Sequence, residues 1–195
     1  MKKITYVFIS IIFSGYICTN DTFAQKGPMD PMSTDSWTLN FGLGPGIHYY
    51  SGYAAGFGPG FQVAVEKGMW KLGPGVLTLG AELGFSYFTY SYGIGHNTYK
   101  YSWFSVVTAA RCVYHYGWQV QGLDTYGGLA TGLRFLAFHA TYDYYYVGGY
   151  SPAAVNFFPG FLVGASYFFN QMIGVNAELG YNVNYAQVGL IFKLK

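Results

Sequence analysis

The chain has 195 residues, 9% of them charged and 22% aromatic, with a formal net charge of +2. A soluble domain averages about 25% charged residues, so this chain has little with which to build a water-facing surface. Its near-neutral balance, with no basic patch, argues against a nucleic-acid partner.

Lys2 and Lys3 precede an apolar run from Ile4 to Phe13, and a small-x-small site follows at Thr22-Phe23-Ala24. This is the order of a secretory signal peptide, so residues 1–24 are expected to be removed after Ala24. The run is too short for a transmembrane helix, which needs about 20 apolar residues. Cys18 does not read as a lipid attachment site, because Gly15-Tyr16-Ile17 lacks the usual Leu and small residues. The remaining chain keeps one cysteine, Cys112, so no intrachain disulfide forms. Residues 25–36 are polar, carry two prolines, and are expected to form a short, mobile periplasmic lead-in.

From Trp37 to Lys195 the chain reads as one domain of alternating segments. A period of two marks a strand with one apolar and one polar face. The first segment, Trp37 to Tyr50, puts Trp37, Leu39, Phe41 and Leu43 on one face. The second, Phe57 to Lys67, puts Phe57, Phe61, Val63 and Val65 outside and Gln62, Ala64 and Glu66 inside. The third, Val76 to Tyr90, alternates Leu77, Leu79, Ala81, Leu83, Phe85 and Tyr87 with Thr78, Gly80, Glu82, Gly84 and Ser86. The fourth, Tyr99 to Tyr116, is apolar on both faces, with Cys112 expected toward lipid. The fifth, Thr125 to His139, opposes Leu129, Leu133 and Phe135 to Gly128, Ala130, Gly132 and Arg134. The sixth, Ala153 to Phe168, places Val155, Phe157, Phe161 and Val163 outside. The seventh runs from Ile173 to a tight reversal at Tyr185-Ala186, with Val175, Ala177, Leu179 and Val183 on its apolar face. The eighth places Val188, Leu190, Phe192 and Leu194 opposite Gln187, Gly189, Ile191 and Lys193.

No helix-length apolar run exists beyond the leader, since Phe157 to Phe169 is interrupted by Pro159, Gly160 and Gly164. Only helices and closed barrels satisfy the backbone in lipid. An even number of alternating segments of about ten residues is the barrel signature, so the expectation is an all-β, eight-stranded, antiparallel up-and-down transmembrane barrel. Turns near Gly68–Pro74, Gly117–Asp124 and Asn170-Gln171 are expected at the periplasmic end. Trp37, Trp70, Trp103, Tyr116 and Trp118 suit aromatic girdles at the membrane boundaries.

Two glycine-rich stretches, Gly42-Leu43-Gly44-Pro45-Gly46 and Gly56-Phe57-Gly58-Pro59-Gly60, are not phosphate loops, because no helix follows either. In a hairpin folding near Gly52, Pro45 falls opposite Pro59, which suggests a paired kink or bulge. His48, His96 and His139 map to the outer end with Asp143 nearby. Three His and a carboxylate suit zinc or copper, but without short ligand spacing they read as solvated rim residues, and neither a metal nor a cofactor is expected.

The chain end carries Gln187, Gly189, Phe192 and Leu194 at the spacing polar-x-Gly-x-x-apolar-x-apolar. This resembles the signal by which outer-membrane barrels are recognised for insertion, with Lys195 as a departure. Together with the leader, the eight segments and Glu178-Leu179-Gly180-Tyr181, the chain resembles the small outer-membrane β-barrel superfamily of opacity-protein, OmpA-barrel, OmpX, OmpW and PorT-like groups. The resemblance implies an outer-membrane location, lipid as solvent and the barrel-assembly machinery as a partner. Functions in these groups include adhesion, envelope structure, passage of small apolar molecules and assistance to secretion, and none carries over residue by residue.

A barrel of eight strands has room for side chains but not for a wide pore. Glu82, Arg111, Arg134 and Glu178 share the polar parity of their strands, with Arg111 inward if Ser105 and Ala109 are. Enclosed charges need partners, so a network of two Glu and two Arg plugging the lumen is expected. The reading is a non-enzymatic barrel with a structural or surface-binding role. The alternatives are a conduit for small apolar solutes, or a lipid A-modifying enzyme using His139, Ser151 and Asp143, whose geometry nothing in the sequence fixes.

Overall fold

Backbone groups that cannot reach water must pair with one another, and this chain pairs them by closing a sheet on itself. A computed structural model describes residues 32–46, 58–94, 97–142 and 154–194. The strands are β1 (Trp37–Pro45), β2 (Pro59–Leu72), β3 (Gly75–Ile94), β4 (Asn97–Gly117), β5 (Leu123–Tyr142), β6 (Ala154–Phe168), β7 (Ile173–Tyr181) and β8 (Ala186–Leu194). Each pairs antiparallel with its chain neighbours, and β1 pairs with β8 to close the barrel. Closure leaves no unpaired edge over the height that all eight strands share. The expected leader, residues 1–24, together with His48, His96, Asp143 and Ser151, lies outside the described residues.

Burial alternates along the strands, most strictly in β7. Leu79, Leu83, Phe85, Phe104, Leu133, Phe161, Val163 and Leu190 are exposed, whereas Thr78, Glu82, Ser105, Arg111, Asn176 and Glu178 are buried. A water-soluble protein has the opposite polarity. An apolar exterior around a polar interior is the construction of a membrane-spanning barrel. Cys112 faces outward with this apolar set.

The two ends of the barrel differ. At one end the connections are short, and β2 continues to Leu72, beyond the expected stop at Lys67. A register shift between Gly68 and Trp70 accommodates the extra residue. The two-residue turn that follows starts at Gly73, whose φ of 57° is costly for other residues. Residues 32–36 are folded rather than loose. The Ser36 amide donates to the Ser33 carbonyl and the Gly68 amide to the Ser36 carbonyl, and Met32 and Ser36 are buried. At the other end β3, β4 and β5 rise to 20, 21 and 20 residues, against 9 in β1, β7 and β8. About 9–11 residues span a bilayer, so among the described residues β3, β4 and β5 stand well above the β7–β8 side of the wall. Pro45 does pair with Pro59, and the ladder passes through them without a register shift.

The β7–β8 connection departs most from the expected tight reversal at Tyr185-Ala186. Asn182, Val183 and Asn184 are all buried, so three consecutive residues turn inward where alternation would place Val183 outside. They fold over the low side of the wall into the lumen. Gly84 makes the seat: a Cβ there would collide with the Val183 side chain. Gly84→Ala is therefore expected to cost about 1–3 kcal/mol through overpacking. Urea unfolding from detergent micelles should show this loss. Gly84→Ala combined with Val183→Ala should lose less than the two single changes added together.

Candidate functional site

The ladder register explains why long charged side chains fit into so narrow a lumen. Arg111 of β4 has Gly80 and Ala130 as its cross-strand neighbours. Glu82 has Ala64 and Ala109, and Glu178 has Gly164 on one side. Each large charged residue is thus flanked on the inner face by small ones, which leave it space to extend across the barrel.

Arg111 does so and meets three carboxylates from three other strands. Nη1 donates to Glu82 Oε2 at 3.1 Å and Nη2 to Glu178 Oε2 at 2.9 Å. Nε lies 3.1 Å from Glu66 Oε1, an ion-pair distance without hydrogen-bond alignment. All four side chains are almost fully enclosed. Around them, Tyr126 Oη donates to Glu178 Oε2 at 3.3 Å and Gln187 Nε2 to Glu178 Oε1 at 3.0 Å. Asn182 Nδ2 donates to Glu82 Oε2 at 2.8 Å.

A second group continues the cluster toward the short-turn end. His115 Nδ1 is 2.7 Å from Asp124 Oδ2, and its Nε2 is 3.0 Å from Glu66 Oε2. Thr78 donates to Glu66 Oε2 at 2.8 Å, and Tyr126 stacks on the His115 ring at 5.2 Å. Lys193 lies within electrostatic reach of Asp124. Above the cluster, Arg134 Nη2 donates to the Asn182 carbonyl at 2.6 Å, and its guanidinium lies 5.3 Å from the Phe158 ring. The lumen is thus packed along a column from Asp124 to Val183, joined by charge and hydrogen bonds across all the strands from β2 to β8 except β6.

Of the four charges expected together, Glu82, Arg111 and Glu178 meet directly, and Arg134 joins them through the backbone of Asn182. Glu66, His115, Asp124, Tyr126, Asn182 and Gln187 complete the cluster without having been assigned to it. The signal for His115 was present, since it shares a face with Arg111 four residues earlier on the same strand. Asp124 was hidden because the residues around it read as a turn.

The other residues singled out from sequence have mixed positions. Trp37, Trp70 and Trp118 are exposed at the short-turn end, and Tyr116 packs edge-on against Trp118 at 4.9 Å. Trp103 is not in a girdle. It stands on the inner face of the tall wall, stacked 5.3 Å from Phe88 and tilted against Phe138 at 5.2 Å. The doubly apolar pattern of β4 concealed its direction. Phe192 and Leu194 face outward, and Phe192 meets Phe41 edge-on at 6.0 Å. Gln187 and Gly189 face inward, where a Cβ on Gly189 would strike the Phe41 carbonyl. His139 is exposed on the outer face, paired in the ladder with Ser102. No group of three metal-ligating side chains occurs among the described residues.

No protein-family model and no curated protein matches the chain. Among solved structures, the attachment invasion locus protein Ail of Yersinia pestis aligns at 12% identity and a TM-score of 0.44, covering 83% of this chain and 100% of Ail. Neisserial surface protein A aligns at 15% identity and 0.44, covering 82% and 96%. The N-terminal β-barrel domain of Pseudomonas aeruginosa OprF aligns at 15% and 0.42, covering 83% and 98%. The fold assignment of this chain stands on its own closed ladder.

Removing one partner of a buried ion pair strands the other, at about 3–5 kcal/mol. Glu82→Gln and Arg111→Met should each lower stability by that order in urea unfolding. The double variant should lose less than the two together, because no new charge is stranded at that contact. Single variants as stable as wild type would mean that the cluster does not hold the barrel together.

Proposed function

We propose that the chain is a bacterial outer-membrane barrel with a closed lumen, serving a structural or surface-binding role rather than transport or catalysis. The observation that carries this reading is the Arg111 guanidinium, fully enclosed and held at 2.9–3.1 Å to Glu66, Glu82 and Glu178. A hydrated pathway would have to part three ion pairs and displace the Asn182-Val183-Asn184 segment above them. The apolar exterior and its aromatic residues at the short-turn end support a lipid setting, with that end toward the periplasm.

Two measurements test the proposal. The wild-type barrel in planar bilayers should show no resolved channel openings. Regular openings that grow in Glu82→Gln/Arg111→Met would make the cluster a gate and the barrel a conduit. In cells the protein should fractionate with outer membrane as a heat-modifiable band, and recovery in the soluble periplasm would overturn the location.

The assembly machinery is the partner proposed for the chain end, through the outward residues Phe192 and Leu194. Phe192→Asp is expected to prevent assembly in cells while still permitting refolding in detergent. A charge near the membrane interface costs only about 0–1 kcal/mol, so most of the loss would be recognition. Normal assembly of this variant would show that Phe192 is read by nothing beyond its neighbour Phe41.

A further inference from the structure

The outer face of the tall wall changes character abruptly, and it does so at one level. On β3 the outward residues Leu77, Leu79, Ala81, Leu83 and Phe85 give way, beyond Tyr87, to Thr89 and Ser91. On β4 the outward set that includes Cys112, Val106 and Phe104 gives way to Ser102 and Lys100. On β5, Leu129, Leu133 and Phe135 give way to His139. The ladder places these changes side by side: Tyr87, Phe104 and Ala137 form one rung, Thr89, Ser102 and His139 the next outward position, and Ser91 and Lys100 the one beyond.

This level is a membrane boundary by its height. From Leu77 to Tyr87 the strand advances ten residues. At about 3.4 Å per residue and a tilt of about 40°, that is roughly 25 Å, the usual height of the apolar band of such barrels. The lower limit of the band coincides with exposed Trp70 and Trp118, so the upper limit falls where the hydroxyls begin.

The hydroxyls are organised rather than scattered. Thr89 Oγ1 donates to Tyr87 Oη at 2.8 Å, Tyr87 Oη donates to Ser102 Oγ at 3.4 Å, and the Thr89 and Ser102 oxygens lie 3.2 Å apart. Lys100 and Ser91 are exposed one rung above, and His139 is exposed beside Ser102. No acidic side chain shares these rungs on β3, β4 and β5. The patch therefore offers a cation and several hydroxyl groups at headgroup height, on the side of the wall that faces lipid rather than the lumen.

We propose that Tyr87, Thr89, Ser91, Lys100, Ser102 and His139 form a docking surface for the phosphorylated glycolipid headgroups of the outer leaflet. Lys100 pairs with a glycolipid phosphate as a point charge. The hydroxyls of Thr89, Ser91 and Ser102 exchange hydrogen bonds with its sugars. The proposal rests on the outer-membrane reading above, because only that location presents a phosphorylated glycolipid to the upper boundary of the barrel.

The test uses the mature chain refolded in detergent micelles, with bisphosphorylated lipid A and the same glycolipid stripped of phosphate as probes. Glycolipid retained per barrel is read by native mass spectrometry. Wild type should retain the phosphorylated form at least about tenfold better than the stripped form. Lys100→Glu should lower that retention by about tenfold or more, since each lysine near an anionic surface contributes about a fivefold attraction and reversal counts twice. Lys71→Glu, at the opposite end, should leave it unchanged. Equal retention of the two glycolipids, or equal losses in Lys100→Glu and Lys71→Glu, would overturn the proposal. If Lys100→Glu loses its heat-modifiable band, Lys100→Gln carries the same comparison. Absence of that band in wild type would instead sink the barrel reading and the proposal with it.

Discussion

A charge enclosed in a barrel cannot be left alone, and Arg111 is the residue on which that constraint falls most heavily. Its guanidinium has no route to bulk water, so carboxylates must come to it from other strands. Glu66, Glu82 and Glu178 sit on β2, β3 and β7. Their meeting fixes which rungs of distant strands lie at one height. The outer surface supplies no comparable constraint, because apolar side chains against lipid tails can exchange places at little cost. Register is held from the inside.

The same requirement explains the small inner residues. Gly80, Ala130, Ala64, Ala109 and Gly164 flank the large charged ones across the ladder. Filling those positions would leave no room for side chains that reach toward the axis. The interior is a set of complementary choices spread over the whole ladder, with volume removed at one strand so that it can be used by the next.

Much of this was legible in the sequence, for a definite reason. Period-two alternation survives wherever one face meets lipid and the other a polar lumen, so the strand count, the inward set and the Pro45–Pro59 pairing could be read directly. Legibility fails where that contrast fades. β4 is apolar on both faces near its outer end, and there Trp103 was assigned to the wrong side. The residues around Asp124 resemble a turn because strands begin and end in polar residues. Val183 follows the alternation of β7 in sequence but leaves the sheet in space. Nothing local distinguishes a strand that continues from a segment that bends over the rim, because the cause lies a hundred residues away in Glu82 and in the space above Gly84.

The inward-turning segment has a consequence for how the molecule is completed. Asn182, Val183 and Asn184 belong to the connection between the last two strands, and Gln187 follows them in β8. Until that final hairpin is in place, Glu82, Arg111 and Arg134 lack the contacts that Asn182 and Glu178 supply, and β1 has no partner along one edge. Seam and interior are therefore finished by the same piece of chain. A growing sheet of six strands is a curved ribbon with a charged, half-solvated face, and it gains little from coiling early. The last hairpin acts as a keystone: sheet closure and core formation become one event, which discourages a partly closed ribbon from persisting in the bilayer with its polar face toward lipid.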